Sequence, residues 1–198
     1  MTCYLLSKHT CDMTSRIAWD EARYPIATSS RIARHNHATG RLWYSAGHLF
    51  SQFDSPARTR GSTALVSGRS ILAHTIAVAL TQAGVSPKLA CAAARRFTDI
   101  ADPHEAPGFS RAPGQLFEGS FTYLAVYPDG DVKVIRTAGK QVWRQNKATG
   151  ERERLIEKPA VEDLLLGAGK REGCWLLPLD FIVKHVEIEL QKASSETR

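Results

Sequence analysis

The apolar positions along the chain change period, and those changes mark out its elements. In SGRSILAHTIAVALTQAG, from Ser67 to Gly84, Leu72, Ile76, Ala79, Leu80 and Ala83 recur at helical spacing, and Gly84 stands just past the end. VSPKLACAAARRF follows at once, with Ser86 in the N-cap position and Pro87 at the first helical position, and predicts a second helix. Two helices joined by Gly-Val-Ser make a helix-turn-helix-like corner. Further on the period shortens to two. FTYLAVYPDGDVKVIRT predicts a β-hairpin turning at Pro128-Asp129-Gly130, QVWRQN a further strand of the same sheet, and CWLLPL a buried strand. DFIVKHVEIELQKA returns to helical spacing, with Asp180 as N-cap and Ile182, Val183, Val186 and Leu190 as its apolar stripe. A short amphipathic helix is expected from Ala160 to Leu166.

The N-terminal part carries weaker signals. Residues 1–30 show no clear periodicity and are expected to form an arm or a loosely packed first helix ending before Pro25. SSRIARHNH predicts two helical turns capped by Ser29 or Ser30, with Arg31, Arg34 and His35 on one side and Gly40 as the stop. LWYSAGHLFSQF predicts a helix capped by Ser45 that buries Leu42, Leu49, Phe50 and Phe53. Three prolines and two glycines between Ala101 and Gln115 read as a linker. The expected architecture is therefore α+β: a helical, winged-helix-like N-terminal domain over residues 1–100, a linker over 101–115, and a small α+β domain over 116–198 built on an antiparallel β-hairpin. The second domain has the size for dimerisation or for binding an effector or partner.

Composition narrows the class. With 43% hydrophobic and 23% charged residues the 198-residue chain should fold around a real core. No apolar run reaches the roughly 18 to 20 residues of a membrane helix, and MTCYLLSKHTCDMTSR lacks the apolar core of a signal peptide. Four scattered cysteines suit a reducing compartment, so a cytoplasmic protein is expected. The net charge of +6 is unevenly divided. Residues 1–100 hold twelve Lys or Arg against five Asp or Glu, whereas residues 101–198 hold fourteen against fifteen. Ten of the twelve cations in the first half are arginines, whose planar fork suits phosphate oxygens and guanine edges.

Chemistry of other kinds finds little footing. Cys3, His9 and Cys11 match no common zinc spacing, and GAGKREG lacks both the earlier glycine and the Ser or Thr of a phosphate loop. Nothing groups a nucleophile with a base and an orienting partner. No catalytic residue, metal or cofactor is expected, and the chain reads as a non-enzyme.

RTRGSTALVSGRSILAHTIAVALTQAGVSPKLACAAARRF, within residues 58–98, resembles the wing and the two following helices of MerR-like winged-helix regulators. Arg58, Arg60, Gly61, Leu65, Val66 and Ser67 stand in wing-like positions and Gly84, Val85 and Ser86 in the corner, while YSAGHLF looks like the family's opening helix. The similarity covers about residues 42–98. The family places a recognition helix, usually with Arg and an aromatic pair, between opening helix and wing; on this alignment only DSPARTR lies there, unless SSRIARHNH is the reading helix and the opening is displaced. The resemblance implies a sequence-specific DNA-binding transcriptional regulator; a homodimer formed through the second domain would give it a paired half-site. Physically, helix N-termini and an arginine-bearing loop make a phosphate clamp. The residues expected at the DNA are Arg31, Arg34, Arg41, Ser45, His48, Arg58, Arg60 and Arg69. Two other classes stay open: an interaction or assembly module whose basic half meets an acidic protein surface, and an enzyme whose site is assembled from distant positions.

Overall fold

The structure is a computed structural model that describes residue 17 and residues 19–57, 62–103, 110–137, 140–145, 152–157 and 173–196. It is α+β. A short strand, β1 (Tyr24–Pro25), leads into α1 (Ile26–Ile32) and α2 (His37–Ser45). β2 (Leu65–Val66) pairs antiparallel with β1, and α3 (Gly68–Gln82) and α4 (Pro87–Asp99) follow. β3 (Phe121–Val126) is the middle strand of an antiparallel sheet, flanked by β4 (Val132–Thr137) and β7 (Trp175–Pro178). β5 (Lys140–Gln145) pairs with β6 (Arg152–Glu157) in a separate ladder, and α5 (Leu179–Glu196) closes the described chain.

α3 is the axis of the molecule. Ser70, Ile71, Leu72, Ala73, His74, Ile76, Ala77, Val78 and Leu80 are all buried, because α1, α4, α5 and β7 pack around it. A helix apolar on nearly every side is stable only when enclosed in this way. On β3, Leu124 and Val126 turn towards the helices while Tyr123 and Ala125 form a second small cluster with Tyr127 and Ile135 on the opposite face. The main core runs without a break from Tyr24 and Ile32 through α3 and α4 to Leu124, Val183, Val186 and Leu190.

The hairpin at Pro128-Asp129-Gly130, α3 and α4 lie where the period placed them. Several expectations change. α1 starts at Ile26, directly after Pro25, so Ser29 and Ser30 are buried inside the helix and cap nothing. LWYSAGHLFSQF does not form a helix capped by Ser45: Leu42–Ser45 is the last turn of α2, whose N-cap is Asn36. Gly40 lies within α2, and Gly47, at φ +74°, ends it. QVWRQN pairs with β6, a strand unforeseen in the charged 146–172 stretch, and does not join β4. Asp180 belongs to the first turn of α5 and accepts the Thr122 amide of β3 at 2.9 Å, which locks α5 to the sheet. The expected helix over 160–166 lies outside the described residues.

Nor does the core divide at residues 101–115. Arg111, with its side chain fully buried, donates to the Phe97 carbonyl at 2.8 Å and the Ile100 carbonyl at 2.7 Å, and pairs with Asp102 at 2.5 Å. A guanidinium placed there satisfies carbonyls that the end of α4 leaves open. It also lies 4.7 Å from the Phe97 ring centroid.

α1 and α2 cross closely at Gly40, where an added Cβ would meet Ser30 Oγ at 2.6 Å and His74 Cε1 at 3.0 Å. Ser30 Oγ is itself buried with no hydrogen-bond partner among the described residues. Gly40→Ala is therefore expected to destabilise by about 1 to 3 kcal/mol despite alanine's better helix propensity. Ser30→Ala in the same chain should restore most of that loss, as read by urea unfolding.

Candidate nucleic-acid interface

The α1–α2 corner is built by a tight helix end. Arg34 holds a left-handed backbone at φ +52°, while the amides of Arg34 and His35 reach back to the carbonyls of Arg31 at 3.1 Å and Ser30 at 2.9 Å. Glycine usually fills this position, so keeping arginine there costs about 1 kcal/mol. Asn36 then caps α2, its Oδ1 accepting the amides of Ala38 at 2.9 Å and Thr39 at 3.3 Å. Ser67 caps α3 in the same way at Ser70. Both helix N-termini on this side thus have some of their donors already engaged.

Beneath the corner runs a buried polar chain. The Tyr44 hydroxyl donates to the Ser70 carbonyl at 3.2 Å, so it must accept from Ser29 Oγ, 2.8 Å away. Ser29 Oγ then accepts from His74 Nδ1 at 2.9 Å, leaving His74 Nε2 to accept from His35 Nδ1 at 2.9 Å. One direction satisfies every member, and it requires His74 neutral with its proton on Nδ1. Burial, reinforced by neighbouring His35, pushes the His74 pKa down to about 3. Burial also lowers that of His35 and raises that of Tyr44.

A second brace ties the 51–55 turn to α3. Asp54 accepts the amides of Ser51 and Ser67, each at 2.7 Å, and the Ser70 hydroxyl at 2.6 Å. Ser55 and Leu65 exchange backbone hydrogen bonds at 2.9 Å in both directions. Arg58 and Arg60 belong to the segment between those paired residues and lie outside the described residues.

Beside α2 opens a groove of about 510 Å³. His37, Arg41 and Ser45, one helical row at i, i+4, i+8, line it together with Phe50, with Pro25, Ile26 and Ala27 at the start of α1, and with Pro56, Ala57, Ser62, Thr63 and Ala64.

The eight expected contact residues separate sharply. Arg34, Arg41, Ser45 and His48 are exposed on the corner, on α2 and in the turn after it. Arg34 and Arg41 pair with no described carboxylate. Arg31 is half-exposed, 4.0 Å from Glu189 of α5, too far for a strong pair. Arg69 points inward, held bidentately by Asp20 and donating to the carbonyls of Thr98 at 2.9 Å and Pro113 at 2.7 Å. With its side chain 15% exposed, Arg69 is a tie between α3, the end of α4 and the 113 loop, and it also borders a smaller pocket of about 250 Å³. Arg95 and Arg96 are likewise neutralised by Asp99 and Asp102. Sequence reasoning missed His37 and the outward position of Leu42. Asn36 and Gly47, a cap and a stop bracketing α2, were the signals that locate both.

Among the described residues no group of three metal-ligating side chains occurs, and no helix is long and apolar enough to cross a membrane. Comparison with protein-family models and with curated proteins finds no match.

The buried chain makes a pH prediction. Unfolded His74 takes up a proton below about pH 6.5 and folded His74 does not until about pH 3, so stability falls as pH drops through that window. From pH 7 to pH 5 the loss should be about 2 kcal/mol. Urea midpoints measured across that range should show it, and in His74→Gln the slope should flatten.

Proposed function

We propose that the chain is a sequence-specific, winged-helix-like DNA-binding protein that regulates transcription, with α2 as the helix presented to DNA. The observation that carries this reading is the sorting of the described arginines: Arg69, Arg95, Arg96 and Arg111 are consumed by internal bonds, while Arg34 stays exposed at the α1–α2 corner and Arg41 beside the groove. Cations left unneutralised on one rigid corner are what a polyanion needs, and exposed arginine serves phosphate oxygens well.

The order of elements supports the MerR-like reading once it is reset by one helix. α1 takes the part of the opening helix, and α2 that of the recognition helix, with Arg41 and the aromatic pair Trp43–Tyr44. Residues 56–64 then take the part of the wing, and α3, Gly84-Val85-Ser86 and α4 follow as the resemblance implies. Trp43 and Tyr44 are buried, so in this chain the pair anchors α2 and leaves base contact to the opposite face. Regulation through a dimer is part of the proposal, although Val183, Val186 and Leu190 of α5 are used in the chain's own core.

Strain at Arg34 points the same way. A non-glycine residue held left-handed in an exposed corner is a cost without a packing benefit, and such costs concentrate at functional positions.

Fluorescence anisotropy of a labelled duplex across a salt series tests the reading. Affinity should fall linearly in log-log form, by about 0.9 of a slope unit for each phosphate neutralised, and Arg34→Ala with Arg41→Ala should reduce the slope by about 2. Arg58→Ala with Arg60→Ala should weaken binding at every sequence without unfolding the protein. Arg34→Gly should stabilise the fold by about 1 kcal/mol while weakening DNA binding. Absent duplex binding, or binding indifferent to salt, would overturn the proposal.

A further inference from the structure

α2 buries Gly40, Trp43 and Tyr44. At 100° per residue, the positions facing directly away from that buried side are Ala38, Leu42 and Ser45. All three are exposed, and Leu42 is 67% exposed, an unusual place for a leucine at the centre of a helix. His37 and Arg41 lean to one flank, where they line the groove together with Pro56, Ala57 and Ser62. The helix therefore presents a small apolar ridge outermost and its one arginine along one shoulder.

The geometry points to α2 selecting thymine by contact between Leu42, with Ala38 beside it, and the C5 methyl group in the major groove, while Arg41 serves the DNA backbone. This rests on the DNA-binding reading above. When a helix lies in the major groove, side chains opposite its buried face meet base edges and those on its shoulders meet phosphates. Ala38 and Leu42 carry no donor or acceptor, so the one base feature in the groove they can recognise is the thymine methyl. Arg41 on the shoulder and Arg34 in the corner that leads into α2 match a phosphate backbone on charge, and the groove gives Arg41 a wall along which one strand can run.

The test uses the full chain and a duplex obtained by selection from a random pool, with each thymine in turn replaced by deoxyuridine, which removes the methyl and leaves the pairing intact. One or two positions should each weaken wild-type binding about fourfold, the worth of one methyl removed from water. Leu42→Ala should bind the parent duplex more weakly and lose sensitivity at those same positions; Leu42 is exposed, so an unchanged melting curve is expected. Arg41→Ala should weaken all sequences alike. Indifference of the wild type to every uracil, equal sensitivity in Leu42→Ala, or loss of preference at a single guanine in Arg41→Ala would each overturn the inference while salt-dependent duplex binding stands. Failure to bind any duplex would remove it together with the reading on which it rests.

Discussion

Enclosing α3 on nearly every side is the constraint from which the rest of the structure follows. An apolar helix wrapped by α1, α4, α5 and β7 gains its stability from burial, but it brings Ser70 and His74 into the interior with it. Those groups have to be satisfied without water, and Ser29, Tyr44, His35 and Asp54 are the side chains that do so. Each comes from the segment that forms the candidate interface or braces it. The same polar chain that makes the core tolerable therefore fixes the angle of α1 and α2 on the axis helix, and Gly40 allows them to approach. A surface built on such a support is rigid because moving it would strand buried polar atoms.

Arginine does two kinds of work in this molecule, and environment decides which. Arg111 and Arg69 act as multivalent staples, holding the carbonyls at the end of α4 and the loop around residue 113. Their charge is balanced by Asp102 and Asp20 and contributes little to the outer field. Arg34 and Arg41 lack such partners among the described residues and project charge into solvent, Arg34 at the end of α1 and Arg41 at the groove. The excess positive charge of the first half therefore overstates the number of cations available to a partner: among the described arginines, Arg69, Arg95 and Arg96 are spent on internal bonds, while Arg34 and Arg41 remain exposed.

The C-terminal half contributes to this corner by support. Leu124, Val126, Val183, Val186 and Leu190 complete the core beneath α3, the Trp175 indole donates to the Ala83 carbonyl at 3.1 Å, and His185 lies 3.1 Å from the Ile32 carbonyl at the end of α1. Of the segment that looks separable by its prolines and glycines, Arg111 is buried and holds the end of α4 through the carbonyls of Phe97 and Ile100.

Local chemistry alone determined much here. α3 and α4 were legible because long periodic segments with a cap and a glycine stop leave few alternatives, and the β3–β4 hairpin because Pro-Asp-Gly between β-branched runs favours one turn. The uneven arginine distribution was equally plain. What the tertiary structure decided is which groups remain for a partner. Ser29 and Ser30 look like caps and become core, Arg69 looks like a phosphate contact and becomes a tie, and Leu42 looks like core and faces solvent. In each case the outcome depends on which distant element occupies the neighbouring space. A short helix such as α2 has too few residues for its own periodicity to say which of its faces α3 will cover.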